Sequence, residues 1–341
     1  EVQVMFSAHS WPRWDNARVQ EVMRDQRDMY ANLSYQVLHL ANQGVTINQV
    51  HNVYRPPTSL QQKWYTHGYH GSYEHNSRAV INYYLGYWDG NPATLVPLSP
   101  EDSAPLYVEM MGGSKKILSR GKKLIEQGRY RHATEILNKL VYAEPRNQDA
   151  KDLLADAFEQ LGYQSESPSL RNCYLSAAKE LRDGIRPLEL PDMAQPDFVR
   201  GISTGLLLDA LAIQVDSLRA EGLKFKFNLI HPDINEKYVV EMSNATLTHI
   251  EGYLAKDADL TITLNRSDFE DIMLKKVKLA ELARAGKARL EGNQAILQQL
   301  VGTVEMFDPM FEIMPGTKAA PKIPASKGEA FAHDAPVVRE P

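Results

Sequence analysis

The stretch Gly128–Tyr163, GRYRHATEILNKLVYAEPRNQDAKDLLADAFEQLGY, decides the architecture of the middle of the chain. It is helical in character throughout, except where the residues EPRN at 144–147 interrupt it. Small residues stand at Ala133, Ala155 and Ala157, where two packed helices would cross closely. The stretch therefore predicts a helical hairpin.

Further helical segments flank this hairpin, near residues 114–127 and 170–183. We predict an all-helical domain over residues 106–186, with the hairpin helices at about 131–143 and 147–161. One hairpin and its neighbours cannot bury all their apolar faces alone, and such units usually stack on one another or on a partner. The expected role is dimerisation, with a homodimer formed through residues 106–186.

A first block, residues 1–105, precedes the helical domain. It begins with a strand-like segment at Val2–Phe6 and continues into a helix over Ala17–Gln43, whose apolar residues recur at helical spacing. Gly44 is a natural C-cap for that helix because glycine adopts the left-handed conformation without strain. A proline-rich stretch from Asn91 to Pro105 then breaks the pattern and predicts a domain boundary.

A third block, residues 196–315, follows a proline-rich connector at 186–196. A helix at about 203–221 precedes several strand-like segments and then more helices, an order that predicts an α+β domain. The predicted strands are Lys224–Ile230, Tyr238–Ser243, Ala245–Gly252 and Leu260–Leu264, and the predicted later helices are Ser267–Met273, Leu279–Ala285 and Ala295–Met306. Residues 316–341 carry few large apolar side chains and are expected to form a tail, either ordered by contacts or disordered.

Composition excludes several classes of function. A net charge of −5 over 341 residues argues against a general binder of nucleic acids or anionic membranes, which needs a cationic surface. No run approaches the roughly 18 to 20 apolar residues that span a bilayer. The single cysteine, Cys173, excludes an internal disulfide framework and leaves the compartment open. The chain starts at Glu1 as if midway through a strand, so we expect it to be the carboxy-terminal part of a longer protein.

Residues 64–95, WYTHGYHGSYEHNSRAVINYYLGYWDGNPATL, carry the strongest functional signal. Three histidines, Asn76 and Arg78 are interleaved here with six tyrosines and two tryptophans. Polar groups that donate protons or bind anions are mixed with aromatic groups that exclude water, and such mixtures are more common in sites than in plain cores. The segment DGNP at 89–92 predicts a turn.

Four stretches of the chain resemble the zinc-dependent alkyl sulfatases of the metallo-β-lactamase superfamily, the group that includes bacterial SDS hydrolases. They occur in the family's order and span about residues 5 to 314. They are HSWPRWDN with QRDMYANLSYQVLHLANQGVT, then GYHGSYEHNSRAVINYYLGYWDGNPATL, then GRYRHATEILNKLVYAEPRNQDAKDLLADAFEQLGYQSES, and last DADLTITLNRSDFEDIML with GKARLEGNQAIL.

The resemblance implies an α+β chain of three parts. These are the end of a metallo-β-lactamase αββα catalytic domain, an all-helical dimerisation domain of tetratricopeptide type, and an α+β domain similar to sterol carrier protein 2. It also implies hydrolysis of amphiphilic alkyl sulfate esters to an alcohol and inorganic sulfate by water held between two Zn²⁺ ions, which lower the pKa of bound water toward about 7. A periplasmic or secreted location is suspected from the family, and a cytoplasmic one fits the lone thiol.

The chain departs from the family because it has no His-x-His-x-Asp-His run among its ten histidines. A zinc ion usually takes at least three protein ligands, so this chain alone supplies no conventional di-zinc site. We expect the missing ligands to lie upstream. The alternatives are a non-catalytic module for lipid binding or dimerisation, and another hydrolase of the same superfamily. Whether the C–O or the S–O bond breaks is left open.

The resemblance assigns roles to individual residues. His9 matches a late zinc ligand after a strand, with packing on Trp11 as the structural alternative. His75 and Asn76 match a pair beside the bound sulfate, where the histidine can protonate the leaving oxygen. Tyr87 matches a position that reaches the sulfate pocket, although an aromatic residue at helical spacing is often core.

Two further assignments carry explicit alternatives. Arg78 can neutralise sulfate or pair on the surface with Glu74. A local metal cluster of His67, His70 and His75 is a rival interpretation, which the neighbouring glycines disfavour because they indicate a loop.

The resemblance of the third block to sterol carrier protein 2 implies an apolar cavity for the alkyl chain between its sheet and helices, with a filled core as the alternative that the sequence cannot exclude. The candidate lining residues are Leu207, Leu211, Phe225, Phe227, Ile262, Ile272 and Met273.

Overall fold

The computed structural model describes residues 1–185 and 195–318, which form two compact units. The first unit contains residues 1–185 together with 311–318, and the second contains residues 195–310. Most of the predicted connector and the predicted tail beyond residue 318 lie outside the described residues. No helix in the described ranges is long and apolar enough to cross a membrane. The predicted division of the first unit near residue 105 stays a prediction.

The first unit opens with a hairpin and a long helix. The strands β1 (Val4–Ser7) and β2 (Ser10–Trp14) pair antiparallel. The predicted strand therefore begins two residues later and ends one residue later than expected, and the second strand was missed. Helix α1 (Asn16–Asn42) has Gln43 as its C-cap instead of the predicted Gly44, which follows Gln43 in the left-handed conformation with a φ of +87°. Next come α2 (Val50–Val53), α3 (Thr58–Gln61), a 3₁₀ turn at Trp64–Thr66, α4 (Tyr73–Leu85) and a 3₁₀ turn at Pro92–Thr94.

Five helices complete the first unit. They are α5 (Pro100–Met110), α6 (Ser114–Glu126), α7 (Tyr130–Ala143), α8 (Gln148–Gln164) and α9 (Pro168–Asp183). The predicted hairpin is confirmed as α7 and α8, and Leu137, Leu140 and Leu154 are fully buried in the core that these helices share. Helix α5 was missed because its prolines suggested a break. Pro100 takes the first helical position, where a missing N–H costs nothing, and the Ser99 hydroxyl caps the helix at the Asp102 N–H.

The second unit is an α+β domain, as predicted. Its sheet has the order β5-β4-β3-β6-β7, with β3 and β6 parallel and the other pairs antiparallel. The strands are β3 (Phe225–His231), β4 (Glu236–Ser243), β5 (Thr246–Glu251), β6 (Leu260–Leu264) and β7 (Ala288–Gly292). The helices are α10 (Pro196–Gly201), α11 (Thr204–Ile213), α12 (Ser217–Ala220), α13 (Arg266–Met273), α14 (Leu279–Arg284) and α15 (Ala295–Thr303).

Two predictions for this unit were wrong. The single helix at 203–221 is split, because Val215 forms an isolated bridge with Val304 and Asp216 caps a new helix start. Strand β7 was missed, since its sequence ARLEG has no β-branched residue. Of the candidate cavity residues, Phe225, Phe227 and Ile262 are buried in the sheet core, with Leu211 and Ile272 packed against it.

Candidate functional site

Helix α4 carries two of the predicted site residues in its first turn. Ser72 is its N-cap: the Ser72 hydroxyl accepts the His75 backbone N–H at 3.1 Å, and the Ser72 carbonyl accepts the Asn76 N–H at 2.8 Å. A capped start fixes the backbone of the first turn. The positive end of the helix dipole lies at the same place and favours an anionic ligand.

A cleft of about 930 Å³ brings together three of the five predicted site residues, His9, His75 and Asn76. Arg78 and Tyr87 are not among its lining residues, and the Tyr87 side chain is 80% exposed. The wall around the polar groups is largely aromatic and apolar, which suits the hydrocarbon part of a ligand. This wall includes Trp11, Met29, Tyr30, Leu33, Trp64, Tyr65 and Tyr69.

His9 packs on the loop that precedes helix α4. Its ring stacks on Tyr69 with centroids 5.3 Å apart and meets the His70 ring edge-on at 4.6 Å. The alternative that His9 packs on Trp11 is therefore wrong, and the Trp11 side chain is 78% exposed. The cleft thus places two imidazoles and a phenol side by side.

A charged clamp that the sequence did not reveal holds the start of this loop on helix α1. Asp25 accepts hydrogen bonds from Lys63 Nζ at 2.6 Å and from the Tyr65 hydroxyl at 2.7 Å. The Lys63 bond lowers the pKa of Asp25, while burial and the Asp25 carboxylate raise the pKa of Tyr65 to about 12. Arg13 of the hairpin lies over the Trp64 ring, 4.2 Å from its centroid, so helix α1 and the hairpin both contact residues 63–65.

His67 is held from both sides of its ring. Nε2 lies 2.7 Å from the Gln61 carbonyl oxygen and Nδ1 lies 2.7 Å from a carboxylate oxygen of Glu166. The bonds to these two partners raise the pKa of His67. Both ring nitrogens are engaged, so neither is free to bind a metal, and no group of three possible metal ligands occurs in the described ranges. The rival cluster of His67, His70 and His75 is therefore wrong.

The described residues do not by themselves fit the zinc site that the resemblance implies. Across residues 1–185 and 195–318, no group of three His, Cys, Asp or Glu side chains could hold a metal ion. His9 and His70 offer two neighbouring imidazoles at most, fewer than the three protein ligands that a catalytic zinc usually takes. These residues alone would therefore not hold a catalytic zinc ion.

Arg78 does not pair with Glu74, contrary to the alternative that the sequence left open. The Glu74 carboxylate instead accepts two hydrogen bonds from Arg131, at 2.9 and 2.7 Å. Arg131 is 57 residues away from Glu74 in sequence. The pairing suggested by the four-residue spacing between Glu74 and Arg78 was therefore wrong. The Arg78 side chain is exposed.

The predicted turn at 89–92 is confirmed, with Gly90 at a φ of +81°.

Two glycines fold the loop tightly onto helix α4. A Cβ at Gly68 would collide with the Gly71 carbonyl oxygen, and a Cβ at Gly71 would collide with the Asn76 side-chain amide. Asn76 therefore lies directly on the Gly71 backbone. A side chain at Gly71 would therefore displace Asn76.

Replacing Gly71 by Ala is expected to destabilise the first unit by about 1–3 kcal/mol, because the added methyl group must displace the Asn76 side chain. Urea unfolding measures this. Gly302→Ala is the matched control, since a Cβ there meets nothing within 4 Å and the site lies in helix α15, where alanine is favoured over glycine. Equal stability of the two variants would contradict the packing of Asn76 on Gly71.

Comparison with known proteins gives two family matches. The model described as "Alkyl sulfatase dimerisation" matches residues 46–184, and the model described as "Alkyl sulfatase C-terminal" matches residues 192–316. The first match includes the whole loop and helix α4, so the candidate site residues His75 and Asn76 fall inside it. His9 lies before it.

Individual proteins that are similar to this chain are named as sulfatases. The chain is 41% identical over 314 residues to a linear primary-alkylsulfatase from Pseudomonas sp., covering 92% of this chain and 47% of that protein. It is 36% identical to the alkyl/aryl-sulfatase of Saccharomyces cerevisiae, covering 92% and 48%. The solved structure of a stereoselective inverting sec-alkylsulfatase from Pseudomonas sp. superposes with a TM-score of 0.84 at 36% identity, covering 91% of this chain and 49% of that chain.

The chain thus spans about half the length of the curated relatives that it matches. The two matched family domains follow one another and take up most of the chain. By these two domains and by its relatives, the chain belongs to the alkyl sulfatases, of which it comprises the dimerisation and carboxy-terminal domains.

Proposed function

We propose that this chain supplies the sulfate-binding side of an active site that hydrolyses alkyl sulfate esters to an alcohol and inorganic sulfate. The observation that carries the proposal is the cleft, in which the start of helix α4 places His75 and Asn76 beside an aromatic and apolar wall. Donors at a helix N-terminus suit the sulfate. The wall suits the alkyl chain.

The groups around His75 are arranged to accept an anion. Within the described ranges, no hydrogen bond or ion pair engages the His75 imidazole, so its N–H is available to a ligand. Glu74, in the same helical turn, would repel sulfate, but Arg131 neutralises its carboxylate through two hydrogen bonds. The Gly71 backbone fixes the Asn76 amide. These contacts support a sulfate site at the start of α4.

We further propose that the C–O bond breaks. One relative is described as stereoselective and inverting, and inversion at carbon requires that a bond to that carbon breaks. In this reaction water attacks the carbon, the C–O bond electrons leave with the sulfate, and the water loses a proton. His75 then donates a hydrogen bond to the departing sulfate, where negative charge develops.

We also propose that the complete active site binds two zinc ions. His9 would be one of their ligands, and the other ligands would come from outside this chain.

The function is tested by incubating the full-length enzyme that contains this chain with a long-chain alkyl sulfate. Alcohol and inorganic sulfate should appear in equal amounts. A β-lactam and an alkyl phosphate serve as comparison substrates, because another hydrolase of the superfamily would favour one of them. Turnover of either in preference to the alkyl sulfate would contradict the proposal.

We also propose a homodimer, because the matched family model is named for dimerisation. Within the described part of the predicted dimerisation domain, residues 106–185, the exposed large hydrophobic side chains are Leu106, Tyr107, Met110 and Tyr163. More such side chains lie just before it, so that exposed apolar groups are frequent within residues 83–110. They are Tyr83, Tyr84, Leu85, Tyr87, Trp88, Leu95, Val96, Leu98, Leu106, Tyr107 and Met110.

Replacing Tyr83 by Ala is expected to weaken the dimer about 10- to 100-fold, because buried aromatic side chains dominate interface energies. Tyr83 is 81% exposed in the single chain. Sedimentation over a range of concentrations gives the dissociation constant. Tyr163→Ala is the matched control, an exposed tyrosine outside residues 83–110 that should leave the dimer intact. A monomeric wild-type chain at micromolar concentration would contradict the homodimer.

A further inference from the structure

The connection between helices α8 and α9 touches the loop that leads to helix α4. Glu166 binds His67 at 2.7 Å, and the Ser167 hydroxyl donates to the Tyr69 carbonyl oxygen at 2.7 Å. Ser167 is 2% exposed. Glu166 and Pro168 also line the cleft that contains His9, His75 and Asn76. A segment almost a hundred residues away in sequence thus forms part of the site.

Ser167 departs from the usual behaviour of a serine at its position. It is the N-cap of helix α9, where a serine hydroxyl normally accepts a backbone N–H from the first turn. Here the hydroxyl makes no cap bond to its own helix and binds the Tyr69 carbonyl instead. Such departures from local rules are expected at functional positions.

Movement of the Tyr69 carbonyl would reach the site residues directly. The Tyr69 ring stacks on His9 at 5.3 Å, and the loop continues through Gly71, whose backbone fits tightly against the Asn76 amide. A restraint on the Tyr69 carbonyl therefore acts on the loop that contacts both His9 and Asn76. Glu166 adds only a surface ion pair, with side chains 35% and 69% exposed, and such pairs contribute little. The buried Ser167 bond is the stronger restraint.

On the basis of the proposed function, we infer that Ser167 is a positioning residue for the sulfate-ester site, holding the loop 67–72 so that Asn76 and His9 keep their places. Glu166 assists it through His67. Neither residue touches the reacting atoms in this assignment. The α8–α9 connection therefore links the helical layer of the first unit to the geometry of the site.

Ser167→Ala in the full-length enzyme tests this inference. Without the hydroxyl the loop should exchange its amide hydrogens faster at residues 67–72, and kcat/KM for an alkyl sulfate should fall about tenfold, because small displacements of positioned groups are costly. The melting temperature should fall modestly, because one buried hydrogen bond is lost, and the enzyme should stay folded at the assay temperature. Ser167→Thr should restore much of the activity because it restores the hydroxyl.

Asn147→Ala is the matched control. Asn147 is the N-cap of the neighbouring helix α8, and its side chain does accept the Ala150 N–H, at 3.1 Å. Its loss should lower the melting temperature while leaving kcat/KM and loop exchange as in the wild type. Glu166→Gln provides a second test at an exposed side chain, with a smaller fall in kcat/KM of about two- to fourfold.

The outcomes separate the two proposals. If the wild-type enzyme hydrolyses no alkyl sulfate, the proposed function fails, and the exchange measurement alone decides whether Ser167 holds the loop. Unchanged loop exchange in Ser167→Ala would overturn the inference. The inference would also be overturned if a loss of thermal stability fully explained the loss of activity in Ser167→Ala. That result is the one expected from removing an ordinary helix cap.

Discussion

Replacing His75 by Ala in the full-length enzyme is expected to lower kcat for a long-chain alkyl sulfate by about 10²- to 10³-fold, the range seen when a donor to a developing anion is removed. kcat and kcat/KM should fall together, because the interaction is strongest when the charge has formed. His75 lies in the first turn of α4 and its imidazole makes no competing contact within the described ranges. Steady-state kinetics measure the effect.

Two comparisons make this result specific to the sulfate role. His132→Ala removes an exposed histidine of helix α7 that does not line the cleft, and it should retain wild-type kinetics. The bound zinc of His75→Ala should equal that of the wild type, whereas His9→Ala should lose metal if His9 is a ligand. Near-normal turnover in His75→Ala would exclude the assignment. A parallel loss of zinc in His75→Ala would point to a metal ligand instead.

Replacing Leu137 by Ala is expected to destabilise the first unit by about 2–5 kcal/mol, the usual cost of a cavity at a fully buried leucine. Leu137 is 0% exposed in the core of the helical layer. It packs directly on Gly121 of helix α6, where an added Cβ would lie 2.8 Å from Leu137 Cδ2. Helices α6 and α7 cross closely here, so the gap cannot close easily.

Urea unfolding measures the change, and the transition of the first unit is followed. Met23→Ala is the control within the same unit, an apolar residue of helix α1 that is 55% exposed, and it should cost less than about 0.5 kcal/mol. If Leu137→Ala also cost less than 1 kcal/mol, the assignment of these helices to one packed core would be wrong.

The helical layer was predictable from sequence because its signals are local. Helices α7 and α8 began and ended within three residues of the predicted bounds, since EPRN at 144–147 separates two apolar patterns of helical period. Helix α5 was not predictable by the same reasoning. Prolines that normally end a helix open this one, and the cap at Ser99 outweighs the lost hydrogen bond at Pro105.

The site was predictable only in part, for a related reason. His75 and Asn76 were predicted from the resemblance of the segment around them to the alkyl sulfatases, and the structure places both in the first turn of helix α4, beside the cleft. The partner of Glu74 was missed because Arg131 comes from another helix. Ser167 was also missed, since a serine before a proline predicts an ordinary N-cap. Contacts between segments distant in sequence depend on packing, which no local pattern encodes.

Hydrolysis in ¹⁸O-labelled water tests the central claim most directly, namely that this cleft holds sulfate as the departing group. The full-length enzyme is given an alkyl sulfate, and mass spectrometry locates the label in the products. Attack at carbon predicts ¹⁸O in the alcohol and none in the inorganic sulfate. Label in the sulfate would mean attack at sulfur with an alkoxide leaving group, and it would contradict the role proposed for His75 at the start of helix α4.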